Sequence, residues 1–492
     1  MKIFKKKIFE LLNKGYKNIP IYIKIFLNKI DSFNIYIKLL KLFKKKKKNT
    51  FIVEFNINNV KKKYSILNIN NIKKISIYNK KIFFYNKKKI NIIKNINILE
   101  YINNLFSKKN YFLNKNIKFT GGVLGYFNYD FINYIEKKNN IKNKFINYLN
   151  LPNIYFFIVE EFLYFNYKLN YIYIFYLLNN IKKYNIKINK INKIIYIFKK
   201  NVNFLIKKKN INNNKIIRLF KKKKYLKTIL KAKNNIENGN LMQIQISQCF
   251  KTKYNGLDLL FYKILKNINP SPYLYFLHFN EFKIIGSSPE TFIKHIVKKK
   301  NLKQKIIIRP IAGTRPRGKN NYEDIKIFNE LINDPKEIAE HIMLIDLARN
   351  DISKIIVNGT LKLTKKMIIE KYSHVQHIVS NIKGMLKYNY NNIDILKATF
   401  PAGTLTGTPK IKSIEIINKL EPIKRSIYGG ACGYISYNNN MDLAIIIRTA
   451  IIKNNILYTQ AAGGIVYDSK PIKEWEETEN KAKIILHVSK IS

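Results

Sequence analysis

The chain is poor in cysteine, arginine, glycine and acid, and each shortage excludes something. Only Cys249 and Cys432 occur in 492 residues. Two cysteines build no disulfide framework, so a reducing compartment is expected. No run of about 18 apolar residues exists, which argues against a membrane-spanning helix. The opening MKIFKKKIFELLNKGYKNIP has charge but no apolar core, no small-residue cleavage site and no arginine. Neither a secretory nor a mitochondrial leader is expected, and the chain reads as cytoplasmic, with no membrane partner. Acidic residues number 30 against 92 basic ones, a net charge of +62. Such a charge would suit a basic RNA-associated protein, which is the alternative of another class. Yet only seven of the basic residues are arginine, the side chain that grips bases and phosphates with two parallel bonds. Lysine is spread along the whole chain, and its longest run is Lys44–Lys48. Lys, Asn, Ile, Tyr and Phe dominate, and all have AT-rich codons. The charge is therefore read as codon bias, with no specific nucleic-acid partner.

What is present is unevenly placed. Fourteen of the 18 glycines lie from Gly239 onward, and six of the seven arginines lie between Arg309 and Arg448. Glycine serves where backbone must turn or approach something closely, so chemistry is expected within 239–485. Before that, short strands such as Thr50–Phe55 and Lys81–Tyr85 alternate with helices, and FTGGVLGYFNYD interrupts the low-complexity texture at Phe119–Asp130. The Lys/Asn-rich stretch 207–224 suggests a junction, giving an N-terminal region 1–210 and a C-terminal region 211–492. No fixed-period repeat is visible.

Two helices concentrate the scarce acid. In DPKEIAEHIMLIDLARND, Asp334 can cap, Pro335 takes the first turn and Glu337 completes a capping-box spacing. Glu337, Glu340, His341 and Leu344 then share a face. In PIKEWEETENKAKIIL, Pro471 opens a helix whose Glu474, Glu477 and Lys481 also share a face. Were the two faces opposed, like charges about 4 Å apart would cost about 4 kcal/mol per pair at an effective dielectric of about 20. A hard divalent cation, Mg²⁺ rather than Zn²⁺, would remove that cost. Around these helices lie glycine-rich segments: IIIRPIAGTRPRG, read as a strand Ile306–Ile308 running into a glycine turn; FPAGTLTGTPK, a loop feeding a helix from Pro409; and YGGACGYISY and QAAGGIVYD, turns after or between strands. The last two bracket a buried-strand pattern, MDLAIIIRT, ending at Arg448. Together they suit a small anionic ligand bound with Mg²⁺.

These segments, in order with ENGNLMQIQISQCF, NPSPYLYF, GSSPE, YSHVQHIVS and EETENKA, cover residues 236–485 and closely resemble the chorismate-binding enzyme family. FTGGVLGYFNYD resembles the N-terminal region of its amino-transferring members. The resemblance implies an α+β fold of two large packed antiparallel β-sheets flanked by helices. It implies chorismate as substrate and Mg²⁺ held by Glu340 and Glu477, with Glu337 and Glu474 acting through water. It implies Glu290 as the general acid toward the C4 hydroxyl and His377 as an active-site histidine. Tyr428 and Arg448 would bind the enolpyruvyl carboxylate; Gly313, Thr314, Thr404, Ala462, Gly463 and Gly464 would line the substrate. Gln243 stands where water-using members carry a lysine base, and Ala312 stands where a lysine can attack the ring. Both favour ammonia as nucleophile and anthranilate as product; aminodeoxychorismate formation is the alternative. Ala462 departs from the usual glycine, and its methyl could crowd the ligand carboxylate. Neither cysteine sits in the Gly-x-Cys-x-Gly elbow of a glutaminase nucleophile, so glutamine would be used through a separate amidotransferase subunit in a hetero-oligomer. A tryptophan effector site would fall on Glu54, Phe55, Pro272, Tyr273 and Leu274. There Phe55 replaces a small hydroxyl residue, while Glu54 is expected to be available to the effector's ammonium.

Overall fold

The computed structural model describes residues 5–27, 30–42, 49–57, 61–68, 73–86, 89–106, 117–136, 146–199, 214–298, 303–371 and 375–492. The lysine run 44–48 and the 210/211 boundary lie outside the described residues. Among those described, two twelve-stranded sheets dominate. Every strand pairing within them is antiparallel, as the alternating apolar pattern of the strands favours. The two expected N-terminal strands are there, extended to Thr50–Ile57 and Lys81–Asn86.

Both sheets draw on both parts of the chain. In the first, Thr50–Ile57 pairs with Tyr273–His278, so the N-terminal strands continue directly into the C-terminal ones. In the second, Gly122–Phe127 pairs with Ala431–Ser436. Period-two alternation then sorts side chains into three layers. Phe51, Val53 and Phe55 meet Leu124, Tyr126 and Phe157 between the sheets. Ile52 points outward, into a cluster shared with the helices Ser32–Leu42 and Asp258–Ile268. Val123 and Phe127 face the second sheet's outer cluster, which receives Ile345 and Ile352 from the helix Pro335–Ser353.

Two chain crossings between the sheets matter most. Phe282–Ser288 belongs to the first sheet and Thr291–Lys298 to the second, so Pro289 and Glu290 lie at the crossing. The pattern MDLAIIIRT proves to be two elements, not one strand. Met441–Ile445 is in the second sheet, Thr449–Lys453 is in the first, and Arg448 sits between them at φ +49°. A left-handed conformation at a non-glycine residue is uncommon and tends to mark a functional position. The crossings are stitched together: Ser288 Oγ donates to the Ile445 carbonyl at 2.6 Å, Ile445 N to the Glu290 carbonyl at 3.1 Å, and Ser287 N to the Arg448 carbonyl at 3.2 Å.

Candidate active site

The helix Pro335–Ser353 starts as its sequence predicts. Asp334 caps it, accepting from the N–H groups of Lys336 and Glu337, with Pro335 in the first turn. The reciprocal half of the capping box is not made. The Glu337 carboxylate instead accepts from Arg315 Nη1 at 2.9 Å, while Arg315 Nη2 reaches Asp334 at 2.7 Å. Glu337, Glu340 and Leu344 face a cavity of about 720 Å³. His341 shares their stripe but is buried against Ser380 Oγ at 2.7 Å, so it is structural. The helix Pro471–Ile491 brings Glu474, Glu477 and Lys481 to the same cavity.

The two acidic faces do oppose each other. Burial holds the Glu340 carboxyl above its ordinary range, Gln243 pulls it back, and the charges of Glu337 and Glu477 push it up again. Glu474 is pushed up to about 7, first by burial and then by Glu477, against the pull of its Ser469 bond. Ser469 Oγ donates to Glu474 Oε1 at 2.7 Å, and among the described residues Oε2 meets no donor. Gln243 Nε2 donates to Glu340 Oε1 at 2.7 Å. Lys481 Nζ pairs with Glu477 at 2.5 Å and donates to the Ala462 carbonyl at 2.9 Å.

Glycine makes room for these carboxylates. A Cβ added at Gly313 would lie 3.1 Å from Glu337 Oε2, and one at Gly463 would lie 2.8 Å from Glu474 Oε2. One at Gly464 would meet Gln245 Nε2 at 2.8 Å and Glu340 Oε1 at 3.6 Å. Two turn assignments are corrected here. QAAGG is not a turn: Ala461–Gly464 lie inside the strand Ile456–Ile465, paired with Gln243–Lys253. Its glycines serve close approach rather than chain reversal. PIAGT likewise lies in the strand Ile311–Pro316, where the register shifts between Ala312 and Thr314 and Gly313 has φ +63°. Gly463 is not among the residues that line the cavity; a side chain there would meet the Glu474 carboxylate. Ala462, on the cavity face, is buried in the second sheet's cluster with Tyr428.

The remaining expected residues converge. Gln243, Glu290, Ala312, Gly313, Thr314, His377, Thr404, Tyr428, Arg448, Ala462 and Gly464 all line the cavity. Glu290 is buried, and that burial pushes its carboxyl up to about 8; the adjacent Thr404, Lys481 and Arg448 pull only weakly the other way. It is therefore a protonated acid at neutral pH. His377 Nδ1 lies 3.0 Å from Thr314 Oγ1 and 3.1 Å from the Gly313 carbonyl. A carbonyl can only accept, so Nδ1 carries the proton and Nε2 the lone pair. Burial, with Arg448 nearby, holds His377 down to about 4, so it is neutral. Burial keeps the Tyr428 phenol well above its ordinary range. Sequence reasoning missed Asn269, Pro270, Ser271, Gln245 and Arg315, which also line the cavity. The alternation Gln243–Gln245 on one strand was a readable signal for Gln245.

The expected effector residues assemble too, at the seam between N- and C-terminal strands. Phe55 registers with Tyr273 and Glu54 with Leu274, and Asn56 N donates to the Pro272 carbonyl at 2.8 Å. Glu54 is already engaged. It accepts from Ser32 Oγ at 2.5 Å and Tyr262 Oη at 3.1 Å, and pairs with Lys266 at 2.9 Å. Phe55 faces the opposite way, stacked on Tyr64 at 4.4 Å and edge-on to Tyr273 and Tyr434.

Among the described residues no group of three or more His, Cys, Asp and Glu side chains is gathered tightly enough to hold a metal alone. Two carboxylates completed by a ligand's own carboxylate would nonetheless suit Mg²⁺, which keeps few protein ligands. The donor set is all oxygen, and the unmet Glu474 Oε2 fits a hard ion or its water.

The chain is similar to known proteins. The family described as chorismate binding enzyme matches residues 53–487. Anthranilate synthase component 1 of Neisseria meningitidis is 51% identical over 261 residues, 53% of this chain and 52% of that protein. The chain thus spans about half the length of that relative. The protein of the same name from Acinetobacter calcoaceticus is 38% identical over 385 residues, 76% of this chain and 75% of that one. The crystal structure of anthranilate synthase component I from Streptococcus pneumoniae superposes with a TM-score of 0.77 at 32% identity, covering 86% of this chain and 92% of that chain.

Proposed function

Because the chain belongs to the chorismate-binding enzyme family, we propose that it is the chorismate-converting component of an anthranilate synthase, making anthranilate and pyruvate from chorismate and ammonia. One observation carries the proposal: the cavity pairs a buried, protonated carboxyl, Glu290, with two opposed acidic helix faces. The first is what a departing hydroxyl needs, and the second is what a cation-bound carboxylate needs. Gln243 and Ala312, where lysines would favour other outcomes, support ammonia as the nucleophile.

In this mechanism Glu340 and Glu477 would hold Mg²⁺, with Glu337 and Glu474 as helpers acting through water. When bound, the ion supplies positive charge that fixes the substrate's ring carboxylate. Tyr428 and Arg448 orient the enolpyruvyl carboxylate. Glu290 donates its proton to the C4 hydroxyl as that C–O bond breaks and ammonia bonds to C2. Neutral His377 lines the same cavity. Loss of pyruvate then aromatises the ring. Ammonia would come from glutamine through a partner amidotransferase subunit, in a cytoplasmic hetero-oligomer. Among the described residues no helix is long and apolar enough to cross a membrane.

The test is fluorescence detection of anthranilate from chorismate, Mg²⁺ and ammonium salt, with chromatography of the products. Aminodeoxychorismate as the sole product would move the assignment to the other amino-transferring branch. Absence of Mg²⁺-dependent turnover would refute it.

A further inference from the structure

Glu290 stands between two cavities. Behind it, away from the large cavity, lies a chamber of about 30 Å³, lined among others by Arg309, Ala348, Asp351 and Ala402. Glu290, Leu344 and Thr404 line both spaces and so stand where the two adjoin. The chamber has room for a water molecule or two by the usual volume of about 10–15 Å³ per site. It is not an apolar void of the kind that stays dry. The buried Thr404 hydroxyl lies close enough to the Glu290 carboxyl to pull its pKa down, yet among the described residues it meets no partner in good hydrogen-bond geometry. A buried hydroxyl in that state calls for a water. Asp351 and Arg309, each paired with an opposite charge (Lys410 and Glu370), add polar edges.

We propose that this chamber is a water site, and that Glu290 recovers its proton through it. The inference rests on the activity proposed above. In that reaction the O–H bond of Glu290 breaks, its proton joins the departing C4 oxygen, and water leaves. The ammonia nitrogen sheds a proton to solvent on bonding to C2, so the carboxylate must take one proton from solvent per turnover. Substrate then fills the large cavity and covers that face of the carboxyl. The chamber places water beside Glu290 from outside the large cavity.

Ala348 and Ala402 line the chamber but not the large cavity, so they can be enlarged without touching substrate. In Ala402→Leu and Ala348→Leu, checked for folding by thermal melting, kcat should fall about tenfold. The KM for chorismate should stay within about twofold, and the solvent deuterium isotope effect on kcat should rise as proton return becomes slow. A merely structural role would not raise the isotope effect. Folded variants with the unaltered kcat and isotope effect would overturn the chamber's role while leaving the activity intact. No anthranilate from the unaltered chain would overturn both. If neither variant folds, a high-resolution crystal structure of the unaltered protein decides. A water within bonding reach of Glu290 and Thr404 supports the route, and a dry chamber overturns it.

Discussion

Glu54 and Glu290 are both buried glutamates, and their surroundings are opposite. Glu54 lies at the seam of N- and C-terminal strands and is met on both oxygens, by Lys266, Tyr262 and Ser32. Glu290 lies at a sheet crossing and has only a hydroxyl beside it and more distant cations. The first carboxylate is compensated and holds elements together. The second is uncompensated, so burial forces a proton onto it. The acidic faces at the cavity show a weaker form of the same contrast: Glu337, Glu340 and Glu477 each have one polar partner, and Glu474 Oε2 meets no donor among the described residues. In a protein of net charge +62, carboxylates left short of partners are the functional mark.

The strongest test of that contrast is to neutralise the residues proposed to hold the cation. Glu340→Gln or Glu477→Gln should cut turnover by about 10⁴-fold or more while the melting temperature holds, because each removes a direct ligand to a hard ion. Glu337→Gln and Glu474→Gln should be milder. Equal, small losses from all four would break the assignment. Glu290→Gln comes next, with an expected loss of about 10²–10⁴-fold in kcat. In the unaltered enzyme kcat should fall as pH rises through about 8, where Glu290 loses its proton. Stability follows the same sign. Folding raises this pKa from 4.5, so the contribution is fully present below 4.5 and is lost as pH rises to about 8. Glu290→Gln should flatten that slope, as melting curves across the window would show.

The compensated carboxylate should respond the other way. Lys266→Met leaves Glu54 buried with its Lys266 partner gone and Lys62 at 3.7 Å. Breaking a buried pair costs about 3–5 kcal/mol, and the low end is expected here because Lys62 remains. Activity per folded molecule should change little. Denaturant unfolding and specific activity together check this. A large loss of kcat at unchanged stability would erase the distinction between the two carboxylates.

How much of this was legible depended on whether a residue's partner was near in sequence. The two acidic helices could be read because cap, proline and i, i+3 spacing are local signals, and the structure keeps them. The sheet crossings could not, because Ser288–Thr291 and Ile445–Thr449 become neighbours only through pairing across some 150 residues, consistent with the 2.6 Å bond from Ser288 to Ile445 at a separation of 157. Glycine misled at QAAGG because the same residue marks a turn and a close approach, and only the carboxylates pressing on Gly463 and Gly464 tell which. Lys266 gave no signal at all: in a chain with 92 basic residues, one more lysine stands out only once it is seen against Glu54.

The smallest expected effect concerns tryptophan, which the resemblance places at the seam holding Glu54 and Phe55. Two features oppose its binding. The Glu54 carboxylate, expected to meet the effector's ammonium, already holds the Lys266 ammonium. Phe55, which stands where the resemblance expects a small hydroxyl residue, fills the space between the sheets, packed against Tyr64, Tyr273 and Tyr434. Losing one hydrogen bond to a charged group costs about 1.5–3 kcal/mol, roughly a 10- to 150-fold loss of affinity, and the occupied volume adds to it. Tryptophan should therefore inhibit the ammonia-dependent activity weakly or not at all. Phe55→Ser restores a hydroxyl and opens a ring-sized space walled by tyrosines. That truncation should also destabilise the protein, by about 3–5 kcal/mol. Because a ligand filling such a space stabilises the folded state, tryptophan should then raise the variant's melting temperature and leave that of the unaltered protein in place. Half-inhibition of the unaltered protein at low micromolar tryptophan would show that the seam still admits the effector, and that Lys266 and Phe55 give way to it.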